Sequence, residues 1–132
     1  DPQALFRTLI ANYCSRFNWA YFDRYDMDKV GQLGSGFSLI LLHKYCDRKR
    51  TAGFYADKYF KAFPQLIAPY SNMEGPYAIK VPERCYSLRT FERFMQYFGL
   101  IHMEQAGWDA PLYISRTVLF DRLITCIAHK EA

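Results

Sequence analysis

The chain lacks the short motifs that frame most catalytic and metal centres. No HExxH, no nucleophile elbow and no Walker-type Gly-rich loop ending in Lys-Ser/Thr occurs. The four cysteines, Cys14, Cys46, Cys85 and Cys126, form no CxxC pair. Two disulfides are arithmetically open to them, but a domain of this size does not need them, and reduced thiols are expected. No Lys/Arg block is long enough to act as a polybasic arm. No apolar run approaches membrane-spanning length and no signal peptide is recognisable, so the expected setting is cytoplasmic, with no membrane partner.

What is present is apolar and aromatic. Of 132 residues, 51% are hydrophobic and 18% aromatic, with eleven Tyr and eleven Phe. This is enough for one domain with a real core and excludes a disordered tail. The net charge of +4 permits nucleic-acid contact without requiring it. The densest basic run, Lys44 with Arg48, Lys49 and Arg50, suits a helix C-terminus followed by a solvated loop. The chain opens on Asp1-Pro2 without an initiating Met. It reads as a domain excised from a longer protein, whose remainder would then be a partner.

Asp1 and Pro2 form a helix start. Leu5, Phe6, Leu9, Ile10, Tyr13, Cys14 and Phe17 follow as one apolar stripe. Residues 18–28 are too aromatic for a plain linker and predict an ordered loop or short turn on the core. Residues 29–45 predict a second helix, with Gly31, Gly34 and Gly36 explained by close helix packing and 37–42 buried on most sides. Thr51 caps a third helix, 52–63, stopped by Pro64. Residues 65–84 are broken by Pro69, Gly75, Pro76 and Pro82, with a short strand at 77–81. Ser87 then caps a helix that Gly99 ends, with Leu88, Phe91, Phe94, Met95 and Phe98 on its apolar face. Residues 100–105 and 112–117 read as a hairpin around a Gly- and Pro-bearing loop, and Thr117 caps a final helix. The expected fold is mainly α: a single domain, 1–132, of five to six helices with a small two-stranded antiparallel hairpin. Its C-terminal half, about 51–130, is winged-helix-like. A standard helix-turn-helix needs a turn of only a few residues, whereas roughly twenty separate these candidate helices.

Several segments bear on function. Asp23, Asp26 and Asp28 offer oxygen ligands for a hard cation, without EF-hand spacing; helix capping and a local ion pair are the plainer reading. His43 and Cys46, one turn apart, lack the second pair a zinc site needs. Cys85 with His102 and Asp109 can be drawn as a catalytic set, but no motif frames them, so neither catalysis nor a cofactor is expected. On the 87–98 helix, Arg89, Arg93 and Gln96 lie opposite the apolar face, and Arg and Gln suit base edges. Trp108 at the hairpin tip and Arg116 at its base are further candidate contacts with nucleic acid or a protein partner. Exposed aromatic pairs, Trp108 with Tyr113 or Tyr70 with Tyr77, would favour a protein partner.

The segments Asn18-Trp19-Ala20-Tyr21-Phe22-Asp23, Leu41-Leu42-His43-Lys44-Tyr45, Phe54-Tyr55-Ala56-Asp57, Ala62-Phe63-Pro64, Phe98-Gly99-Leu100 and Arg116-Thr117-Val118-Leu119-Phe120-Asp121 resemble a pattern in uncharacterised bacterial proteins, some of them plasmid-associated. The resemblance spans most of the chain and implies a cytoplasmic bacterial domain within a longer protein. It carries packing and turn signatures and no catalytic residue. The expected function is recognition without catalysis, a protein-interaction or scaffold domain; the alternative is a winged-helix module reading DNA with the 87–98 helix.

Overall fold

The computed structural model describes residues 1–20, 23, 25, 27–68 and 77–124, with the backbone alone at 77–80. Asp26, Tyr70, Cys126 and the last turns expected of the final helix lie outside the described residues. The fold is mainly helical with a small antiparallel sheet.

Helix α1 spans Pro2–Ser15, capped as expected: the Asp1 carboxylate accepts the Gln3 N–H at 3.0 Å. Helix α2 is shorter than the sequence suggests, Ser35–Tyr45. Gly31 and Gly34 precede it with φ of +84° and +77°. They are therefore turn residues in the left-handed region, where only glycine is free of strain, and not packing positions inside a helix. The Tyr59 hydroxyl pins this turn, accepting the Gly31 N–H and donating to the Leu33 carbonyl.

Strand β1, Arg50–Thr51, went unread because two residues carry no periodicity. Helix α3, Ala52–Ala62, follows at once, with the Thr51 hydroxyl accepting the Phe54 N–H. Helix α4, Tyr77–Ser87, occupies the stretch expected to be a broken coil with a short strand. Pro82 costs it a backbone hydrogen bond. Cys85 and Tyr86 on the same helix are fully buried, and such burial contributes roughly 1.5–3 kcal/mol per large side chain. Ser87 is consequently no N-cap: it lies mid-helix with helical φ and ψ, and its side chain caps nothing. The chain continues without a break into a π-helical segment, Leu88–Met95. Its wider winding shows in i→i+5 bonds from the N–H of Gln96 to Phe91 and of Leu100 to Met95, both 2.8 Å. Gly99, at φ +74°, ends it as expected.

Strands β2, Ile101–Glu104, and β3, Tyr113–Arg116, form the expected hairpin. It is part of a three-stranded sheet of order β1-β3-β2, with Arg50 opposite Ile114 and Met103 opposite Ile114 on the other side. Thr117 caps helix α5, Val118–Leu123, and its hydroxyl also donates to the Gly99 carbonyl at 2.7 Å. From α2 to β3 the described elements run helix, short strand, helix, 3-10 turn, helix and a hairpin whose second strand is central.

The core is aromatic. Tyr55, Tyr59, Tyr86, Phe91, Phe94 and Phe120 have no or almost no exposed surface. Tyr59 stacks on Tyr86 at 4.2 Å, and the Tyr86 and Ser38 hydroxyls are 2.8 Å apart. In the stretch 18–28, expected to order on the core, and just after it, several described residues do pack inward. Trp19, Met27 and Val30 are buried, and the Trp19 indole N–H donates to the Tyr13 carbonyl at 2.8 Å.

Candidate functional site

The described residues just before α2 decide what the central helix, α4 with its π-helical continuation, can present. Asp23, Met27, Val30 and Gly31 pack on it at Arg89 and Thr90, and Arg89 is completely buried. The Arg89 Nε donates to Asp23 Oδ2, and Nη2 donates to Asp23 Oδ1 at 3.0 Å. Nη1 donates to the carbonyls of Met27 and Val30. Both side chains of this pair are fully shielded from solvent. Burial alone would raise the Asp23 carboxyl. The Arg89 hydrogen bonds, the Tyr25 N–H at 3.0 Å and the Arg89 charge outweigh it and hold the carboxyl below its ordinary value. Gly31 makes the close approach possible: a Cβ there would lie 3.2 Å from both Arg89 Cβ and Thr90 Oγ1.

Arg89 is therefore a fold residue, and its expected place on a DNA-facing surface is corrected. Asp23 is equally committed to Arg89 and not to a hard cation with Asp28, which is exposed. Arg93 is half-buried, with its carbonyl accepting the Tyr13 hydroxyl at 3.2 Å. Gln96 is exposed. The three residues expected on one reading face thus have three different environments. Arg116 is also engaged. Its guanidinium donates to the His43 carbonyl at 2.9 Å, at the C-terminus of α2 where a cation is favoured, and pairs with Asp121 at 3.0 Å. Trp108 is 91% exposed at the hairpin tip, and Tyr113 is exposed in β3. The Gln105 amide braces the tip by donating to the carbonyls of Trp108 and Ala110.

Neither the His43–Cys46 pair nor the Cys85, His102 and Asp109 set comes together. The buried Cys46 thiol donates to the Ile114 carbonyl, while His43 is exposed. Cys85 has no exposed surface, burial pushes its thiol up to about 12, and His102 and Asp109 are solvent-exposed.

Two surface features remain. The first is an apolar groove of about 670 Å³ between α1 and the end of the central helix. The outer half of the α1 stripe forms one wall: Leu9 is 49% exposed, and Phe17 is exposed beyond it. Tyr97, 78% exposed, forms the other. The floor is aromatic, with Phe6 edge-on to Phe98 at 5.7 Å and Tyr13 against Phe98 at 5.3 Å. Arg16 adds a cation to the lining. Helix α1 is held in place by Arg7, which donates to the carbonyls of Arg122 and Leu123 at 3.1 Å at the C-terminus of α5. The Gln32 amide adds bonds to the Cys14 and Phe17 carbonyls. The apolar stripe read from the sequence is wider than the core it serves, since Leu5, Leu9 and Phe17 stay exposed.

The second feature is a basic cluster where α2 ends, β1 passes and α3 begins. Lys44, Arg50 and Lys58 lie 5.2, 5.4 and 4.8 Å from the Tyr45 ring centroid. Arg50 and Lys58 also lie 4.7 and 5.1 Å from the Phe54 centroid. A hydrogen bond with Lys44 leads the influences that hold the Tyr45 phenol below its ordinary value. The sequence signal was Arg50, Phe54 and Lys58 at a spacing of four, hidden by the boundary between strand and helix.

No family model, curated protein or solved structure matches the chain, so the likeness to plasmid-associated bacterial proteins remains an expectation and these surfaces have to be argued from their own chemistry.

Proposed function

We propose that this is a non-enzymatic recognition domain that binds a protein segment in the groove between α1 and Tyr97. The groove itself carries the reading. It combines an apolar aromatic floor, exposed Leu and Tyr walls and one cation, the mixture that interface anchors favour. Its open apolar lining suits an amphipathic helix laying apolar side chains at i, i+3 or i+4 and i+7 against it, with a carboxylate reaching Arg16. The winged-helix DNA reader is the weaker alternative. Its central helix has Arg89 locked to Asp23, and Glu83 lies against the start of α3, within 2.7 Å of where a Cβ on Gly53 would be.

A displayed library of helical peptides tests the proposal. Selection on the wild-type domain should enrich peptides with apolar residues at helical spacing and an acidic residue beside them. Leu9→Asp with Tyr97→Asp, both at exposed positions, should weaken those peptides about 30-fold or more, as expected for two anchors worth about 2 kcal/mol together. Enriched peptides that bind wild type and double variant alike would place the contact elsewhere and defeat the proposal.

A further inference from the structure

Lys44, Arg50 and Lys58 are three like charges gathered around two rings. Each lies within 5.4 Å of the Tyr45 centroid. They are thus within about one Debye length of one another, roughly 10 Å at 0.1 M salt, and repel. Cation–π attraction to Tyr45 and Phe54 offsets part of that repulsion. Among the described residues no carboxylate pairs with any of the three. Of the acids in this region, Asp57 pairs with Lys61 at 3.0 Å and Glu104 with Lys49 at 2.6 Å, whereas Asp47, exposed in the turn before β1, and Glu83, against the start of α3, make no ion pair among the described residues.

The cluster is also organised. Arg50 Nε donates to the Tyr45 carbonyl at 2.9 Å, which fixes the guanidinium plane against the rings and leaves its Nη groups free to donate. Guanidinium presented in this way suits paired phosphate oxygens, and the two ammonium groups add point charges on either side. The turn before β1 extends the basic surface with Arg48, which is exposed. Three cations gathered on two rings, with a fourth in the adjoining turn, carry more charge than a single phosphate needs and suit a run of them.

We propose that Lys44, Arg50 and Lys58, held on Tyr45 and Phe54, bind the phosphate backbone of a nucleic acid. The contact is made by the α2–β1–α3 corner and not by the central helix. It reads no sequence, because only phosphates are touched. It is independent of the groove, which opens between α1 and Tyr97.

The test is fluorescence anisotropy with a mixed-sequence 20-base-pair DNA duplex at 50 and 200 mM salt. Three phosphate contacts predict about a 40-fold fall in affinity across that range; one contact predicts about 3-fold. Lys44→Gln with Lys58→Gln should therefore bind at least 10-fold more weakly at 50 mM and lose most of the salt dependence. Lys44→Arg with Lys58→Arg should keep both. Arg122→Gln, which removes an exposed cation outside the cluster, should bind like wild type. Inorganic phosphate and poly-glutamate at equal charge serve as competitors. Displacement by unlabelled duplex but by neither competitor supports the site. No binding at 50 mM salt overturns it, as does equal loss in Arg122→Gln. Poly-glutamate competing as well as DNA would also overturn it and point to an acidic protein, and inorganic phosphate doing so would reduce the site to a small-anion pocket.

Discussion

Removing one member of the Asp23–Arg89 pair should be the most damaging single change in the chain. Asp23→Ala leaves a guanidinium with no exposed surface and no counter-charge. Its bonds to the Met27 and Val30 carbonyls survive, but both bonds to the carboxylate are lost. Breaking a buried pair from one side costs about 3–5 kcal/mol. Against a total stability of roughly 5–15 kcal/mol, that is a large share. For a domain of this size it corresponds to a fall in Tm of roughly 10–20 °C. Arg89→Met should cost a similar amount at neutral pH, yet the two variants differ in their response to acid. In the wild type the folded carboxyl lies below its unfolded value. Its contribution is present above about pH 4 and is lost as pH falls through the folded value. In Arg89→Met the lone buried carboxylate is raised instead, so protonation relieves it, and the variant should gain stability as pH falls from 8 toward 5. Urea melts across pH 4–8 followed by circular dichroism measure both slopes. The double variant Asp23→Ala, Arg89→Met should be more stable than the sum of the two losses predicts, with a coupling of about 2 kcal/mol or more. A loss below about 1 kcal/mol in Asp23→Ala, or an Arg89→Met variant with no pH response, would refute the assignment of the pair as a fully buried, mutually dependent unit.

Three further outcomes follow from the same packing. Tyr55 is buried with its hydroxyl unpartnered, beside a Cys46 sulfur that is a poor acceptor, so Tyr55→Phe should raise stability by up to about 1 kcal/mol in a thermal melt. Gly34→Ala should destabilise by about 2 kcal/mol or more, because the new Cβ would take up a left-handed φ of +77° and come within 2.5 Å of the Phe63 ring. Burial raises the Cys85 thiol and the Tyr59 phenol to about 12 in the folded state, so the stability they confer is intact below about pH 9 and drains away as pH rises toward 12; the part of the phenolate absorbance that comes from buried tyrosines should then rise together with loss of ellipticity, not before it.

Local signals were legible where they are local. Asp1, Thr51 and Thr117 each accept the N–H that capping chemistry assigns them, and Gly99 takes the left-handed conformation that ends a helix. The hairpin showed through its alternation and its Gly-Pro loop. Errors came where tertiary packing overrode local preference. Pro82 reads as a breaker, but burial of Cys85 and Tyr86 keeps the helix intact around it. Strand β1 exists only because β3 pairs with it. Arg89 was placed on the wet side because a helical wheel assigns one apolar face and assumes water on the other. Nothing in the wheel says that Asp23, some sixty residues earlier, packs on that other side. At the surface, the α1 stripe was visible in full. Which half of it stays uncovered depends on the width of the contact with Phe98 and Phe94, and this is a property of packing.

The covered helix has a consequence for how this architecture can be used. In a winged-helix order the helix before the hairpin is the element free to enter a groove, and its outer side chains must stay mobile and wet. Here Asp23, before α2, takes one of that helix's three arginines, Arg89, out of solvent, while Arg84 is exposed and Arg93 half-buried. The Asp23–Arg89 pair resists opening, since exposing one partner strands the other. The contact surfaces proposed above are ones that Asp23 and its described neighbours leave uncovered. These are the outer stripe of α1 with Tyr97, and the corner where Lys44, Arg50 and Lys58 crowd Tyr45. The two differ in kind, one apolar and one cationic, so salt separates them: high ionic strength should leave a groove-bound peptide in place and strip a phosphate backbone from the corner. If a single partner engaged both surfaces, its affinity would keep a salt-resistant floor that Leu9→Asp removes and Lys44→Gln with Lys58→Gln does not.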